Sequence, residues 1–193
     1  MVSQAREDAV RNQRRLLLAA RDAVAEDGPG VGVRAIADRA GVGITTLYRH
    51  FGGKDALIDA VSVNRWATVT RLARAGAAAG SPLDGVVDVL ETFTRMVTAD
   101  DAFIAAAGLR IGRTPIDILP VKAQFDPTFA LMWSSAQRRN LIRPRADSRD
   151  AMELAGMIRS GDRRGPMLSV LVSGICTDAV DVERLVDAHL RRH

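Results

Sequence analysis

The stretch Val33-Arg34-Ala35-Ile36-Ala37-Asp38-Arg39-Ala40-Gly41-Val42, followed by Gly43-Ile44-Thr45-Thr46-Leu47-Tyr48-Arg49-His50-Phe51, decides the fold. Val33, Ile36, Ala37 and Ala40 recur at three and four, which predicts a short helix with those residues inward. Gly41 stops it, Val42 and Gly43 turn the chain, and Ile44, Leu47 and Phe51 set the inner face of a second short helix. Small Ala37, four residues before Gly41, leaves room for two helices to cross closely, and glycine at 41 accepts a left-handed turn conformation. The pattern is a helix-turn-helix over about 33–51. Its second helix turns Thr45, Thr46, Tyr48, Arg49 and His50 outward. Each of these side chains can donate a hydrogen bond and none is negative, which suits phosphate oxygens and the acceptor edges of bases. Lys54 follows at the start of the next helix, where an N-terminus already attracts anions.

The charge around this motif agrees. From Met1 to Lys54 nine Lys and Arg stand against six Asp and Glu, so this first quarter holds +3 of the formal +4. Such a bias fits a segment facing a polyanion. With 47% hydrophobic and 26% charged residues among 193, a disordered or collagen-like chain is excluded and a core needs no disulfide. The single cysteine, Cys176, has no partner for an intrachain bridge. The first fifteen residues lack the layout of a secretion signal, and no apolar run approaches the roughly 18–20 residues of a membrane span. The expectation is a cytoplasmic protein with no membrane partner.

Outward from the motif every periodic segment predicts helix and none predicts strand. A first helix is expected from Ala9 to Glu26, ended by Gly28-Pro29-Gly30, and a long one from Lys54 to about Arg74, with a break over Ala75 to Pro82. Val86, Val89, Leu90, Phe93 and Val97 form an amphipathic stripe. Asp100 or Asp101 is expected to cap a separate helix carrying Phe103. Pro115, Pro120 and Pro127 predict a loop and a broken helix over Gly112 to Pro127, with Asp126 and Pro127 opening a helix to about Asn140. Three more are expected at about 147–159, 166–178 and 182–191.

The segment from Val33 to Val42, and then Thr46-Leu47-Tyr48-Arg49-His50-Phe51-Gly52-Gly53-Lys54-Asp55-Ala56-Leu57, resembles the N-terminal domain of the TetR/AcrR transcriptional regulators. The likeness covers about residues 10–57. It implies an all-α protein: a three-helix helix-turn-helix DNA-binding domain over 1–54 and a helical ligand-binding and dimerisation domain over 55–193. It also implies a homodimer, a palindromic double-stranded DNA operator, and a small-molecule effector whose binding releases the DNA, most often from repression. By position, Tyr48, His50 and Lys54 fall on phosphate-contacting places and Thr45 and Thr46 where base edges are read. Arg34 and Leu47 complete the DNA-contacting set, Leu47 although its periodicity turns it inward. Gly32, Gly43 and Gly53 stand where relatives carry Ser or Thr caps. Glycine there costs a few tenths of a kcal/mol, and any phosphate contact from those hydroxyls is lost.

Two further sets lie beyond the motif. Trp66, Phe93, Met96, Phe103, Phe125, Phe129 and Trp133, with Met132, are candidates to line an apolar effector pocket, with Arg95, Arg110, Asp117 and Gln124 as polar contacts; each is also an ordinary core residue. The helix around Leu168, Leu171, Val172 and Ile175 is apolar on its opposite side too, at Met167, Val170 and Gly174, as in a helix buried on both sides. With Met152, Ala155 and Ile158 of the preceding helix, the Leu168, Leu171, Val172, Ile175 stripe is the expected dimer interface. No cofactor, metal site or enzyme is expected. His50, His189 and His193 lack ligand spacing, no nucleophile-base set exists, and Gly28 to Gly32 follows no strand. A dimeric small-molecule-binding protein with a vestigial DNA-binding domain is the alternative.

Overall fold

The structure, a computed structural model, describes residues 2–27, 30–106, 118–159 and 161–191. Its helices are α1 (Val2–Asp27), α2 (Val33–Ala40), α3 (Ile44–Phe51), α4 (Lys54–Ala78), α5 (Pro82–Ala106), α6 (Ile118–Arg138), α7 (Ser148–Gly156), α8 (Arg164–Ile175) and α9 (Val182–Leu190). Among the described residues there is no strand, only an isolated bridge between Ile142 and Cys176.

The chain divides into two compact units: the first runs to Asn64 and takes in the segment that starts at Asp100, and the second joins Arg65–Ala99 to the chain from Leu119 onward. The division falls inside α4, ten residues beyond the Lys54 boundary set by the motif, because Leu57, Ile58 and Val61 at the start of α4 belong to the first core. That core joins Leu16, Ala20 and Val24 of α1, Ile36, Ala37 and Ala40 of α2, and Leu47 of α3. Burying each of its leucines and isoleucines stabilises the fold by roughly 1.5–3 kcal/mol. An Arg39–Glu26 ion pair of 2.6 Å adds a link from α2 to the end of α1. In the second unit the core gathers Val86, Val89 and Leu90 of α5, Phe125, Phe129, Met132 and Trp133 of α6, and Leu168, Val172 and Ile175 of α8.

Local chemistry accounts for the helix ends. Asp147 caps α7 by accepting from the amides of Arg149 (2.7 Å) and Asp150 (3.3 Å), and Asp181 caps α9 through Arg184 N at 3.1 Å.

The observed helices are longer than the sequence pattern predicts. α1 begins at Val2, not Ala9: its first two turns carry no apolar stripe and rest on helix-forming residues and an Asp8–Arg11 pair. α4 continues to Ala78, shortening the predicted break. Asp100 and Asp101 lie inside α5, not at a cap. No glycine or proline interrupts the chain after Gly85 there, so an acidic pair alone does not start a new helix. α6 likewise begins at Ile118, and Pro127 lies inside it, not in its first turn. Interior proline normally costs about 3 kcal/mol. Here Phe125 and Phe129, both 2% exposed, bury the helix on either side of it, and the Thr128 hydroxyl donates to the Gln124 carbonyl at 2.9 Å. Pro115, with the Gly28-Pro29 breaker and the side chain of Phe103, lies outside the described residues.

Candidate nucleic-acid interface

The α2–α3 turn is built around Gly41, which adopts φ 62°, ψ 40°. In that left-handed conformation its N–H donates to Asp38 O at 2.9 Å, and Val42 N donates to Ala37 O at 3.0 Å, closing the end of α2. The Arg15 guanidinium of α1 lies over Gly41, where a Cβ would collide with it. Gly43 then starts α3 without a side-chain cap; its carbonyl accepts from Thr46 N (2.8 Å) and Leu47 N (3.3 Å).

α3 is held by its buried face and presents the other. Leu47 is fully buried in the first core, with Ile44 and Phe51 packed at its edge. Its place in the DNA-contacting set is therefore corrected: the inward periodicity wins, and Leu47 acts by positioning the helix. On the opposite side Thr45, Tyr48 (49% exposed) and Arg49 are exposed, and Thr46 is half-buried. Arg34 of α2 is exposed, and Lys54 is half-buried as the first residue of α4. His50 is less outward than its spacing predicts. Its ring centroid is 6.3 Å from that of Phe51, and its Nε2 is enclosed without a hydrogen-bond partner. Arg15 is the cation that sequence reading left out. It belongs to α1, eighteen residues before the start of α2, and only the fold brings it to the turn.

Of the effector candidates, Trp66, Phe93, Phe125, Phe129 and Trp133 gather in the second unit as an aromatic chain. Trp66 lies 5.6 Å from Phe93 and 5.3 Å from Phe125, Phe125 stacks on Phe129 at 5.3 Å, and Phe129 lies 5.9 Å from Trp133. Phe125, Phe129 and Trp133 are core residues, and the Trp133 indole N–H donates to Ala146 O at 3.0 Å. Trp66, Phe93 and Met96 are only partly buried against that core. Of the polar candidates, Gln124 accepts from Arg74 at 2.8 Å and Arg95 lies 3.6 Å from Glu91; Arg110 and Asp117 lie outside the described residues.

The residues expected at the dimer interface lie mostly inward. Ala155, Ile158, Leu168, Leu171, Val172 and Ile175 are buried in the chain's own core, and Met152 is partly buried against it. The opposite side of the same two helices is the exposed one. Leu154 (51% exposed), Met157 (66%), Met167 (37%) and Val170 (74%) line an open apolar groove of about 580 Å³ with Gly174, rimmed by Arg145, Asp147, Asp150 and Arg163. Both faces of α8 are apolar, so periodicity could not rank them; the face with more branched side chains fills the core.

Burial pushes the Cys176 thiol up to about 11, against the opposing pull of Arg143, so it stays protonated at neutral pH and is a poor nucleophile. Among the described residues no three His, Cys, Asp or Glu are placed to hold a metal ion, and no helix is long and apolar enough to cross a membrane.

Residues 16–61 match the family model described as bacterial regulatory proteins, tetR family. A TetR transcription regulatory protein from Mycobacterium vanbaalenii is 30% identical; the match covers 90% of this chain and 99% of that one, with a TM-score of 0.71. A TetR transcriptional regulator from Streptomyces coelicolor is 22% identical over 86% of this chain and 99% of that one, with a TM-score of 0.69. A gamma-butyrolactone receptor is 22% identical over 95% and 97%, with a TM-score of 0.65. No curated protein matches the sequence.

Proposed function

The chain belongs to the TetR family of transcriptional regulators, and from that premise we propose that it is a homodimeric, cytoplasmic repressor released from a palindromic operator by an apolar or amphipathic small molecule. The observation that carries the DNA-binding part is the exposed face of α3. Thr45, Tyr48 and Arg49 project from a helix whose Leu47 anchor is fully buried, beside a turn that admits only a left-handed residue at Gly41. A donor-rich, cation-bearing helix on a rigid base suits the major groove, and a two-fold dimer places two such helices about 34–36 Å apart on one face of the duplex. The groove beside Val170 supports α7 and α8 as the face that joins the subunits.

Selection of bound DNA from a random pool tests this reading: a two-fold symmetric site is expected. A folded dimer that enriches no sequence at any salt concentration would favour the vestigial-domain alternative. On the selected site, Thr45→Ala and Thr46→Ala are expected to relax preference at particular base pairs by about 1–3 kcal/mol each. Tyr48→Phe and Lys54→Ala are expected to weaken all sequences alike, Lys54→Ala lowering the salt slope by about one unit. Uniform loss from the threonine variants would show that these contacts are to the backbone.

For the effector, the half-buried end of the aromatic chain supports a site against Trp66 and Phe93, since Phe125, Phe129 and Trp133 are already committed to the core. Trp66 and Lys54 share α4, so a compound seated at Trp66 acts on the helix that also begins beside α3. Linkage requires the compound to favour the DNA-incompetent state, by a typical coupling of about 1–3 kcal/mol. Screening compounds by tryptophan fluorescence and operator release should find one whose effect Trp66→Ala or Phe93→Ala weakens, with ligand-free DNA affinity near normal. Release that is undiminished in both variants would place the site elsewhere.

A further inference from the structure

Glu91 lies in the middle of α5 with its side chain fully buried. Its carboxylate accepts from Arg164 Nη1 at 2.6 Å; Arg95 Nε stands 3.6 Å away, and the Thr92 hydroxyl 3.4 Å. A well-packed apolar side chain at 91 would stabilise the core at least as well, because desolvating a carboxylate and a guanidinium offsets most of their attraction. Core stability therefore does not explain the pair. Nor does helix formation: Arg164 is the first residue of α8, where no side chain caps the helix and no acid lies in the first turn, and a cation there opposes the helix dipole. What the pair does is fix a position. It ties the N-terminus of α8 to one point on α5.

Two neighbouring contacts do the same for the end of α7. The Thr98 hydroxyl, which also donates to Thr94 O at 2.8 Å, lies 3.3 Å from Ile158 O, and the Phe93 ring packs where Gly156 carries no side chain. The segment of α5 from Glu91 to Thr98 thus seats both helices that border the apolar groove, at its Met157 and Arg163 end. We propose that Glu91 is a positioning residue for the subunit interface: through Arg164 it sets the register of α8 against α7, and so the shape of the face that a second copy of this chain recognises. This rests on the reading that α7 and α8 form the dimer face. It also gives α5, which carries Phe93, a direct mechanical hold on that face.

The test is a cycle of Glu91→Gln, Arg164→Gln and the double variant, with full-length protein free of DNA. Sedimentation gives the dimer dissociation constant, and subunit exchange between labelled dimers gives its off-rate. Glu91→Gln keeps the volume and hydrogen-bonding capacity while removing the charge. Each single variant is expected to raise the dissociation constant at least tenfold and to speed exchange correspondingly, with helix content unchanged by circular dichroism. The double variant should be no worse than the worse single, because both remove one interaction. Should Glu91→Gln fail to fold, the partly exposed Arg164→Gln carries the test alone. Single variants with dissociation constants within twofold of the parent, or fully additive effects, would overturn the proposal. Val170→Arg measured alongside separates the two ideas: if it too stays dimeric, the interface reading has failed; if it alone dissociates, the reading stands and the positioning role is lost.

Discussion

A chain carrying Val170→Arg is expected to fold normally and to sediment as a monomer. Val170 is 74% exposed in the isolated chain, on the open side of α8, so an arginine there meets water and costs the monomer nothing. Arginine also has better helix propensity than valine. In the proposed dimer the same guanidinium would face an apolar surface of Leu154, Met157 and Met167. A two-fold interface repeats every defect, so one substitution places two unpaired charges in it. At about 3 kcal/mol each, the dissociation constant rises by roughly four orders of magnitude. Specific DNA affinity should fall with it, because a monomer engages one half-site. Leu171→Arg makes the contrast. Leu171 is 9% exposed and faces the core, so its arginine variant should lose helix content and aggregate instead of dissociating cleanly. Sedimentation velocity and circular dichroism on the two proteins decide the matter. A dimeric Val170→Arg protein would place the interface on another surface.

The contrast between adjacent residues shows where sequence reading stops. The helix-turn-helix was legible because its constraints are local: Gly41 must turn left-handed, Ala37 must be small, and Ile44, Leu47 and Phe51 keep one period. The same periodicity overrode the position-by-position likeness at Leu47, which the fold buries. Where a helix is apolar on both sides, as α8 is, period does not say which stripe meets the chain's own core. Proline and acidic caps misled for a related reason. Pro127 and Asp100 carry local preferences of a few kcal/mol at most, and the burial of Phe125, Phe129 and Trp133 across α6 outweighs the first. Contacts between distant positions left no trace at all in the pattern. The Glu91–Arg164 pair spans 73 residues, and nothing marked Glu91 as a buried carboxylate, since it occupies one position of an otherwise regular amphipathic helix.

The close approach of α4 and α5 is another such contact, and it supports a prediction of reversed sign. Gly76 and Gly85 face each other: a Cβ built on Gly85 would lie 2.8 Å from Gly76 Cα and 2.5 Å from Met132 Sδ, and one built on Gly76 would lie 2.7 Å from Gly85 Cα. Both glycines are inside helices, where replacement by alanine ordinarily stabilises by about 0.5–1 kcal/mol. Methionine can swing its sulfur aside; a facing backbone cannot move without separating the helices. Overpacking of this kind costs about 1–3 kcal/mol, so Gly85→Ala is expected to lower the melting temperature despite its better propensity. Gly85→Leu must push α4 off α5 and disturb Val69, Ala73 and Val86 in the same core. A loss of about 3 kcal/mol or more is expected, and at roughly 2–4 °C per kcal/mol for a chain of this length the midpoint falls by about 6–12 °C. Trp66 and Trp133 both belong to the second unit, so tryptophan fluorescence follows its unfolding directly. If Gly85→Ala melts at or above the parent temperature, the two backbones do not touch, and the glycines need another explanation.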